Sequence, residues 1–229
     1  MIRTAIDTLS AQLSDGLSVS NSRLETLCLL VVGIASARTV NLSHLSGEMP
    51  TQAKVESTYR RLQRFFQHVF LGEDWTARLV IRMLGLCGNW HLCLDRTHWK
   101  IGRKEINLLV LAVATRRYRV PLIWTVLGKA GNSSTKERIA VMKRYLDLFG
   151  AESIKCLLAD REFIGLDWLD FLHDQDIPFI IRVRSNQYVI CEDGTRRSLR
   201  ELLRTCRGKR AFTAHFGTSK DAAPVWLNF

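Results

Sequence analysis

The chain has 229 residues, 47% of them hydrophobic and 24% charged, which is enough for one large core or two smaller ones and excludes a disordered or collagen-like polymer. Its formal net charge of +11 favours polyanionic partners such as nucleic acid. The longest uncharged apolar run, from Thr26 to Ala37, has 12 residues, fewer than the roughly 18 that span a bilayer, so no membrane partner is expected.

The first third of the chain is predicted to be helical. Apolar residues recur every three to four positions from Ile2 to Leu13, and the pair Asp15-Gly16 ends that run. Ser22 followed by Glu25 has the spacing of a capping box and predicts the start of a second helix. Strands are not expected here, because the sequence lacks β-branched alternation.

Further helices are predicted from Thr39 to Ser46 and from Val55 to Phe70, with a last one starting at Trp75, which gives a helical domain over residues 1–87. The two helices around the break at 47–50 could form a helix-turn-helix that binds DNA. The bases expected to contact phosphates there are Lys54, Arg60, Arg61 and Arg64. A small bundle with a solvated basic face explains the pattern almost as well, and both interpretations stay open.

The second part of the chain changes to a strand pattern. Residues His91–Leu94 form a short apolar strand that is predicted to end at Asp95. Residues Ile106–Ala114 are a continuous apolar run, typical of a central strand covered on both faces. Residues Val120–Val126 alternate, and Pro121 within them favours a sheet edge. These segments predict three antiparallel strands in succession.

Strands and helices alternate after this meander. A helix with a Ser-x-x-Glu start at Ser134 leads to a strand at Ile154–Ala159, then to a helix at about Leu166–His173 and a strand at Phe179–Val183. This order predicts right-handed crossovers and parallel strands. The fold class is therefore α/β: an all-helical domain followed, over residues 88–229, by a mixed sheet of three antiparallel strands and two βα units.

Asp95 and Asp160 occupy equivalent positions, since each follows an apolar strand and each precedes an arginine. If the two strands are neighbours, their carboxyl ends lie about 4.8 Å apart at one edge of the sheet, where open α/β sheets bind ligands. Two such carboxylates suit Mg²⁺ (or Mn²⁺), which prefers hard oxygen ligands and acts on phosphodiesters. A turn residue or helix N-cap explains either aspartate alone better, but their matched placement favours the metal site.

The remaining basic residues of the second part are predicted to contact a DNA backbone, so that DNA affinity would depend strongly on salt concentration. Those around the two aspartates are Arg96, Lys100, Arg103, Lys104 and Arg161, and a later cluster contains Arg197, Arg200 and Arg204. A solvated helix face explains the later cluster equally well. Trp99 could stack on an unpaired base, although burial under the sheet is the more expected fate of its ring.

The six cysteines include no C-x-x-C pair, which is typical of reduced thiols in a cytosolic protein. Cys28, Cys87, Cys93 and Cys156 lie in apolar contexts and are predicted to be in the core. The first ten residues lack an apolar segment, so a cytoplasmic location is expected, with nucleoid association when DNA is bound.

Two segments are similar to a known family of proteins. LDRTHW at 94–99 and LADREFIG at 158–165 resemble the first two acidic motifs of bacterial insertion-sequence transposases of the "IS four" family. ARTVNL at 37–42 and YRRLQRFF at 59–66 also resemble the leading region of that family. The resemblance extends over about residues 20–190.

The resemblance implies an RNase H-like DDE catalytic core, in which Asp95 and Asp160 would be the first two metal-binding carboxylates. It further implies a metal-dependent recombinase that hydrolyses one strand of double-stranded DNA at the terminal inverted repeats of its element. The freed 3′-hydroxyl then attacks target DNA. A homodimer could form on the DNA.

The third acid of the family is not found at its expected place. That family carries a glutamate within a Tyr-x2-Arg-x3-Glu-x6-Lys signature, and no tyrosine of this chain starts the pattern: Tyr188 has Cys191 where arginine is required. Glu192 and Glu201 are in the wrong setting, and neither is assigned. The chain is therefore expected to be the front part of a transposase, with an inactive DNA-binding remnant as the alternative and another RNase H-like nuclease as a third interpretation.

Overall fold

The computed structural model describes residues 2–14, 16–205, 211–216 and 224–228. The chain divides into two compact units, residues 1–79 and 80–229, so the division lies within the last helix of the predicted helical domain. Asp15, which was expected to help end the first helix, lies outside the described residues.

The described part of the first unit is helical, as predicted. Its core contains Leu27, Cys28, Leu45, Leu62 and Phe65, which come from three of the helices. Asn41 is the N-cap of the helix at Leu42–Glu48, because its side chain accepts hydrogen bonds from the backbone N–H groups of Ser43 and His44. The helices are α1 (Ile2–Ser14), α2 (Asn21–Ala37), α3 (Leu42–Glu48), α4 (Val55–His68) and α5 (Trp75–Met83), the last of which continues into the second unit.

The start of α2 differs from the prediction. The helix begins at Asn21 with Ser20 at its N-cap, so the capping box predicted at Ser22 is wrong. The reason is that Glu25 is engaged elsewhere: its Oε2 accepts a hydrogen bond of 2.8 Å from Arg61 of α4. No single helix of the described ranges is long and apolar enough to cross a membrane, and α2 and α3 pass that test only together, with a bend of 94° between them.

The second unit is built on a mixed five-stranded sheet. Its strands are β1 (Trp90–Ile101), β2 (Lys104–Ala114), β3 (Arg119–Leu127), β4 (Ile154–Ala159) and β5 (Phe179–Ile181), in the order β3-β2-β1-β4-β5. β1, β2 and β3 pair antiparallel, whereas β4 is parallel to both β1 and β5. This confirms the predicted mixed α/β topology of a meander followed by two βα units.

The helices that follow the meander start where the sequence predicted. α6 (Thr135–Phe149) has the complete capping box of Ser134 and Glu137 and packs against β2 and β3. α7 (Leu166–Asp174) packs against α6 and buries Trp168 completely. Pro121 lies at an edge strand, opposite an irregularity in the β2–β3 ladder, which is where a residue without an N–H is tolerated.

Two features of the second unit depart from the prediction. β1 does not end at Leu94: its ladder with β2 continues to the pair Ile101–Lys104, so Asp95 lies inside the strand. A second sheet, which the sequence did not predict, follows the first. It has the order β7-β6-β8-β9 and contains β6 (Tyr188–Cys191), β7 (Arg196–Ser198), β8 (Ala211–Phe216) and β9 (Pro224–Asn228), with α8 (Leu199–Thr205) between β7 and β8.

Candidate active site

Asp95 and Asp160 come together at one edge of the five-stranded sheet. In the parallel pair of β1 and β4, Leu94 lies opposite Ala159, and the next residue along the chain after each of them is an aspartate. Neighbouring strands are about 4.8 Å apart, so the two backbones are adjacent at this point. Leu94 and Ala159 are both buried, whereas both aspartates are exposed. The carboxylates are therefore accessible from solvent next to buried residues of the sheet.

The contacts of the two carboxylates are weak enough to be exchanged for a cation. Asp95 Oδ1 accepts a hydrogen bond of 2.8 Å from the backbone N–H of Arg96. Asp160 Oδ1 lies 3.6 Å from Nη1 of Arg182, whose side chain is 82% exposed. An ion pair this exposed is screened by water and contributes little.

Arg96, which was predicted to contact DNA, faces an internal partner. Its Nε lies 3.2 Å from each carboxylate oxygen of Glu162, and its Nη2 lies 3.1 Å from Oε2. Both side chains are less than one-fifth exposed, so this is a half-buried, charge-assisted pair. Arg96 follows Asp95 in β1 and Glu162 follows Asp160 after β4, so the pair ties the two aspartate-bearing segments together. The guanidinium that was predicted to contact a phosphate is thus engaged with a carboxylate inside the fold.

Asn107 supports the same arginine from β2. It is completely buried, and its Oδ1 accepts a hydrogen bond of 3.3 Å from Nη1 of Arg96. Its Nδ2 donates to the carbonyls of Lys129 and Gly131, which fixes the loop after β3. Sequence analysis missed this residue, although a single polar side chain within the apolar run of β2 is the signal that could have revealed it.

Arg138 of α6 anchors the segment that follows Asp160. It is only 5% exposed, and its Nη2 donates to the carbonyls of Ser133 (2.8 Å) and Glu162 (3.0 Å). Its guanidinium also lies over the ring of Phe163, 5.3 Å from the centroid. Burial lowers the pKa of the Arg138 guanidinium, and the negative charge of Glu162 opposes that shift. This residue was also missed, because an arginine within a helix normally indicates a solvated face.

The donor set suits a hard divalent cation. Mg²⁺ keeps several waters and binds one or two protein carboxylates together with substrate phosphate, which two exposed aspartates can provide. Throughout the described residues, no group of three or more His, Cys, Asp or Glu side chains could hold a metal ion.

The basic residues predicted to contact DNA fall into three groups. Arg61 is held inside the first unit, because its Nε donates to Thr26 Oγ1 and its Nη2 to Glu25, each at 2.8 Å; it is half-buried, as is Arg96. Arg197 is exposed but pairs with Asp193 at 3.3 Å. The others are exposed: Lys54, Arg60 and Arg64 in the first unit, and Lys100, Arg103, Lys104, Arg161, Arg200 and Arg204 in the second.

The cysteines follow the prediction in part. Cys28 and Cys93 are buried and Cys156 is half-buried, and burial raises the pKa of all three thiols. Cys87, predicted to be in the core, is exposed instead, because it lies in the irregular segment between α5 and β1.

The candidate site is an open edge and not a pocket. A cavity of about 730 Å³ lies elsewhere in the second unit, lined by residues of α7, β5, α8, β8 and β9 that include Leu172, Phe179 and Leu227. Neither Asp95 nor Asp160 lines it. The aspartates are therefore accessible to a broad substrate that could not enter a closed cavity.

Comparison with known proteins gives a family match and several partial structural matches. Residues 87–215, more than half of the chain and including both aspartates, match the model of the transposase DDE domain family. The HTLV-2 integrase catalytic core domain, in complex with magnesium in its dimeric form, is 19% identical with a TM-score of 0.32, and the match covers 42% of this chain and 63% of that domain.

A chain of the simian T-cell lymphotropic virus intasome in complex with PP2A regulatory subunit B56 gamma is 14% identical with a TM-score of 0.34. That match covers 62% of this chain and 47% of the other chain. This chain thus spans less than two thirds of either matched chain. A search of curated proteins finds no significant match.

Proposed function

The chain belongs to the transposase DDE domain family, and from this premise we propose that it cuts and joins DNA strands in a metal-dependent reaction. The observation that carries the proposal is that Asp95 and Asp160 each come directly after a residue of the parallel pair Leu94–Ala159. Their likeness in motif to the "IS four" transposases supports the finer proposal that the substrates are the terminal repeats of an insertion sequence and its target DNA.

Asp95 and Asp160 would hold Mg²⁺ or Mn²⁺ through their exposed oxygens. When bound, the ion would activate a water and neutralise charge on the phosphodiester. The exposed Arg161, directly after Asp160, would neutralise a neighbouring phosphate. The exposed basic residues Lys100, Arg103 and Lys104, which follow Asp95 in the hairpin of β1 and β2, would do the same. The open edge leaves room for a duplex, and Arg96 would hold the two segments in place through Glu162 without touching DNA.

A second candidate function is DNA binding without catalysis. It is favoured by the donor count, since the described residues contain no group of three or more possible metal ligands and no tyrosine of the given sequence starts the family's third motif. Two ligands bind a metal less tightly and with less defined geometry than three. The two functions share the DNA contacts and differ in metal binding and strand cleavage.

The decisive experiment measures Mn²⁺ binding by calorimetry and nicking of supercoiled DNA in Mg²⁺ or Mn²⁺. Asp95→Asn and Asp160→Asn are expected to weaken Mn²⁺ binding by at least about tenfold, the loss that follows even from removing an outer partner of a metal ligand, and to abolish nicking. The matched control is Asp174→Asn, an exposed aspartate at the end of α7, which should change neither.

The outcomes separate the candidates. Mn²⁺ binding and nicking that both depend on the two aspartates support the transposase. DNA binding by a wild-type chain that neither binds Mn²⁺ nor nicks DNA supports the second candidate. Nicking that persists in both variants removes the site assignment, and DNA affinity that does not change between low and physiological salt contradicts both candidates.

A further inference from the structure

The hairpin of β1 and β2 extends beyond the candidate site. β4 ends at Ala159, opposite Leu94, whereas β1 continues to Ile101 with β2 as its neighbour. The strands are joined by a two-residue turn in which Gly102 has φ +60°, a conformation that such turns reserve for glycine at their first position. The hairpin therefore projects past the aspartates as a two-stranded arm.

The outer part of this arm is exposed on both faces. Every described side chain from His98 to Glu105 is exposed, and the buried region of β2 begins only at Asn107. Trp99 is 52% exposed, so its expected burial under the sheet is wrong. This end of the hairpin has no third strand paired beside it among the described residues, because β4 ends opposite Leu94 and the β2–β3 ladder reaches only to Asn107. An indole left in water is an apolar surface that can gain free energy by stacking.

The surroundings of Trp99 are positively charged. Lys100, Arg103 and Lys104 are all exposed on the arm, while the one acid, Glu105, pairs with His98 at 3.7 Å. Exposed cations beside an exposed aromatic ring are the combination by which proteins bind unpaired nucleotides, because the cations track the phosphates and the ring stacks on a base.

The arm also has a defined distance from the candidate metal site. Side chains alternate along a strand, so Asp95, Thr97 and Trp99 project from one face of β1, and Arg96 from the other. Four residues at about 3.3 Å each place Trp99 about 13 Å from Asp95, which is about four base steps along a duplex.

We propose that the arm is a DNA-binding element in which Trp99 stacks on an unpaired base close to the bond that is cut, while Lys100, Arg103 and Lys104 bind the flanking phosphates. This inference rests on the proposed function and extends it, since it assigns the arm to frayed or single-stranded DNA near the reaction site. The stacking contributes preference for unpaired bases, and the three cations contribute affinity for any DNA.

The test compares two DNA probes, a blunt 30-base-pair duplex and the same duplex with three unpaired nucleotides at one end. The wild-type chain is expected to bind the frayed probe about tenfold more tightly at a fixed salt concentration, within the range that stacking of one base provides. Trp99→Ala should bind both probes equally, whereas Trp99→Tyr should keep most of the preference. Both variants change an exposed residue, and a circular dichroism melt checks that they fold.

The matched control is Trp124→Ala. Trp124 is 45% exposed on the edge strand β3 of the same sheet. Its replacement by alanine should leave the preference for the frayed probe unchanged. In a separate variant, replacing Lys100, Arg103 and Lys104 by glutamine should weaken binding to both probes alike and reduce the slope of log affinity against log salt by about 3. Stacking and phosphate contacts are thereby measured separately.

Retention of the preference in Trp99→Ala, or its equal loss in Trp124→Ala, would overturn the inference while leaving the proposed function intact. A wild-type chain that binds DNA without any preference for the frayed probe would do the same. A wild-type chain that binds neither probe would overturn the proposed function itself.

Discussion

The two aspartates of the candidate site are held in different ways. Asp95 lies within β1, and its strand continues on both sides of it with β2 as an antiparallel partner from His91 to Ile101. Asp160 is the first residue after β4 and begins a segment without regular structure. One carboxylate is therefore positioned by a backbone ladder, and the other depends on what its segment contacts.

The difference shows which interactions the site depends on. The segment after Asp160 is held by the side chain of Arg138, which reaches two of its carbonyls, by the buried ring of Phe163, and by Glu162 through Arg96. A ladder of backbone hydrogen bonds tolerates most side-chain changes, whereas a segment held by two arginines does not. Mutations should therefore affect the two halves of the site unequally.

The largest effect is expected from Arg138→Met, which keeps the aliphatic stem but leaves buried carbonyls unpaired. It should lower the free energy of opening of residues 160–165 by about 3 kcal/mol, the upper end of the cost of leaving buried hydrogen-bonding groups unpaired. Native-state hydrogen exchange measured by NMR would report this locally. Lys136→Met, an exposed position of the same helix, is the control. An equal loss of hydrogen-exchange protection in the β1 amides and in residues 160–165 would show that the segments carrying Asp95 and Asp160 open together.

A smaller effect is expected from Glu162→Ala, about 2 kcal/mol, because it leaves the half-buried guanidinium of Arg96 without its carboxylate. Adding Arg96→Met to the same chain should restore part of the stability, since removing both polar partners costs less than removing one. The free energies would come from urea denaturation of all the variants. Additive losses in the double variant would mean that the two residues do not interact.

Removing a side-chain contact in the helical unit should destabilise the protein less still. Arg61→Ala breaks the contacts with Glu25 and Thr26 and is expected to destabilise by about 1 kcal/mol, because the pair is partly exposed. Arg60→Ala, the adjacent exposed arginine, should leave stability unchanged and weaken DNA binding instead. Thermal melting and a DNA titration of both variants measure this contrast. The opposite pattern would return Arg61 to the DNA contacts.

The smallest effect on stability is expected at the aspartates themselves. Both are exposed, so Asp95→Asn and Asp160→Asn should each change the free energy of unfolding by less than about 0.5 kcal/mol. Urea denaturation in the absence of divalent cations is the measurement. A loss of unfolding free energy as large as that of Glu162→Ala would mean that the carboxylates stabilise the fold. Their effect on cleavage would then not be evidence of a metal contact.

Much of the fold followed from local patterns. The apolar runs and capping signals placed β4, α6 and α7 to within a few residues, because strand alternation, helix caps and breaks are decided by residues less than two helical turns apart. The convergence of Asp95 and Asp160 also followed, since parallel strands joined by a crossover place their carboxyl ends at one edge. Nothing local predicted the pairing of β6, β7 and β8 into a second sheet.

The partners of the charged residues were decided by packing. Arg96 and Arg61 each had the sequence context of a phosphate contact, yet each pairs with a glutamate far away in the chain, at separations of 66 and 36 residues. The same holds for Trp99, whose exposure depends on β4 ending beside Leu94 while β2 continues. Residue type and spacing report which chemistry is available at a position. Whether a side chain meets solvent or a partner depends on elements brought together from distant parts of the chain, and only the folded arrangement contains that information.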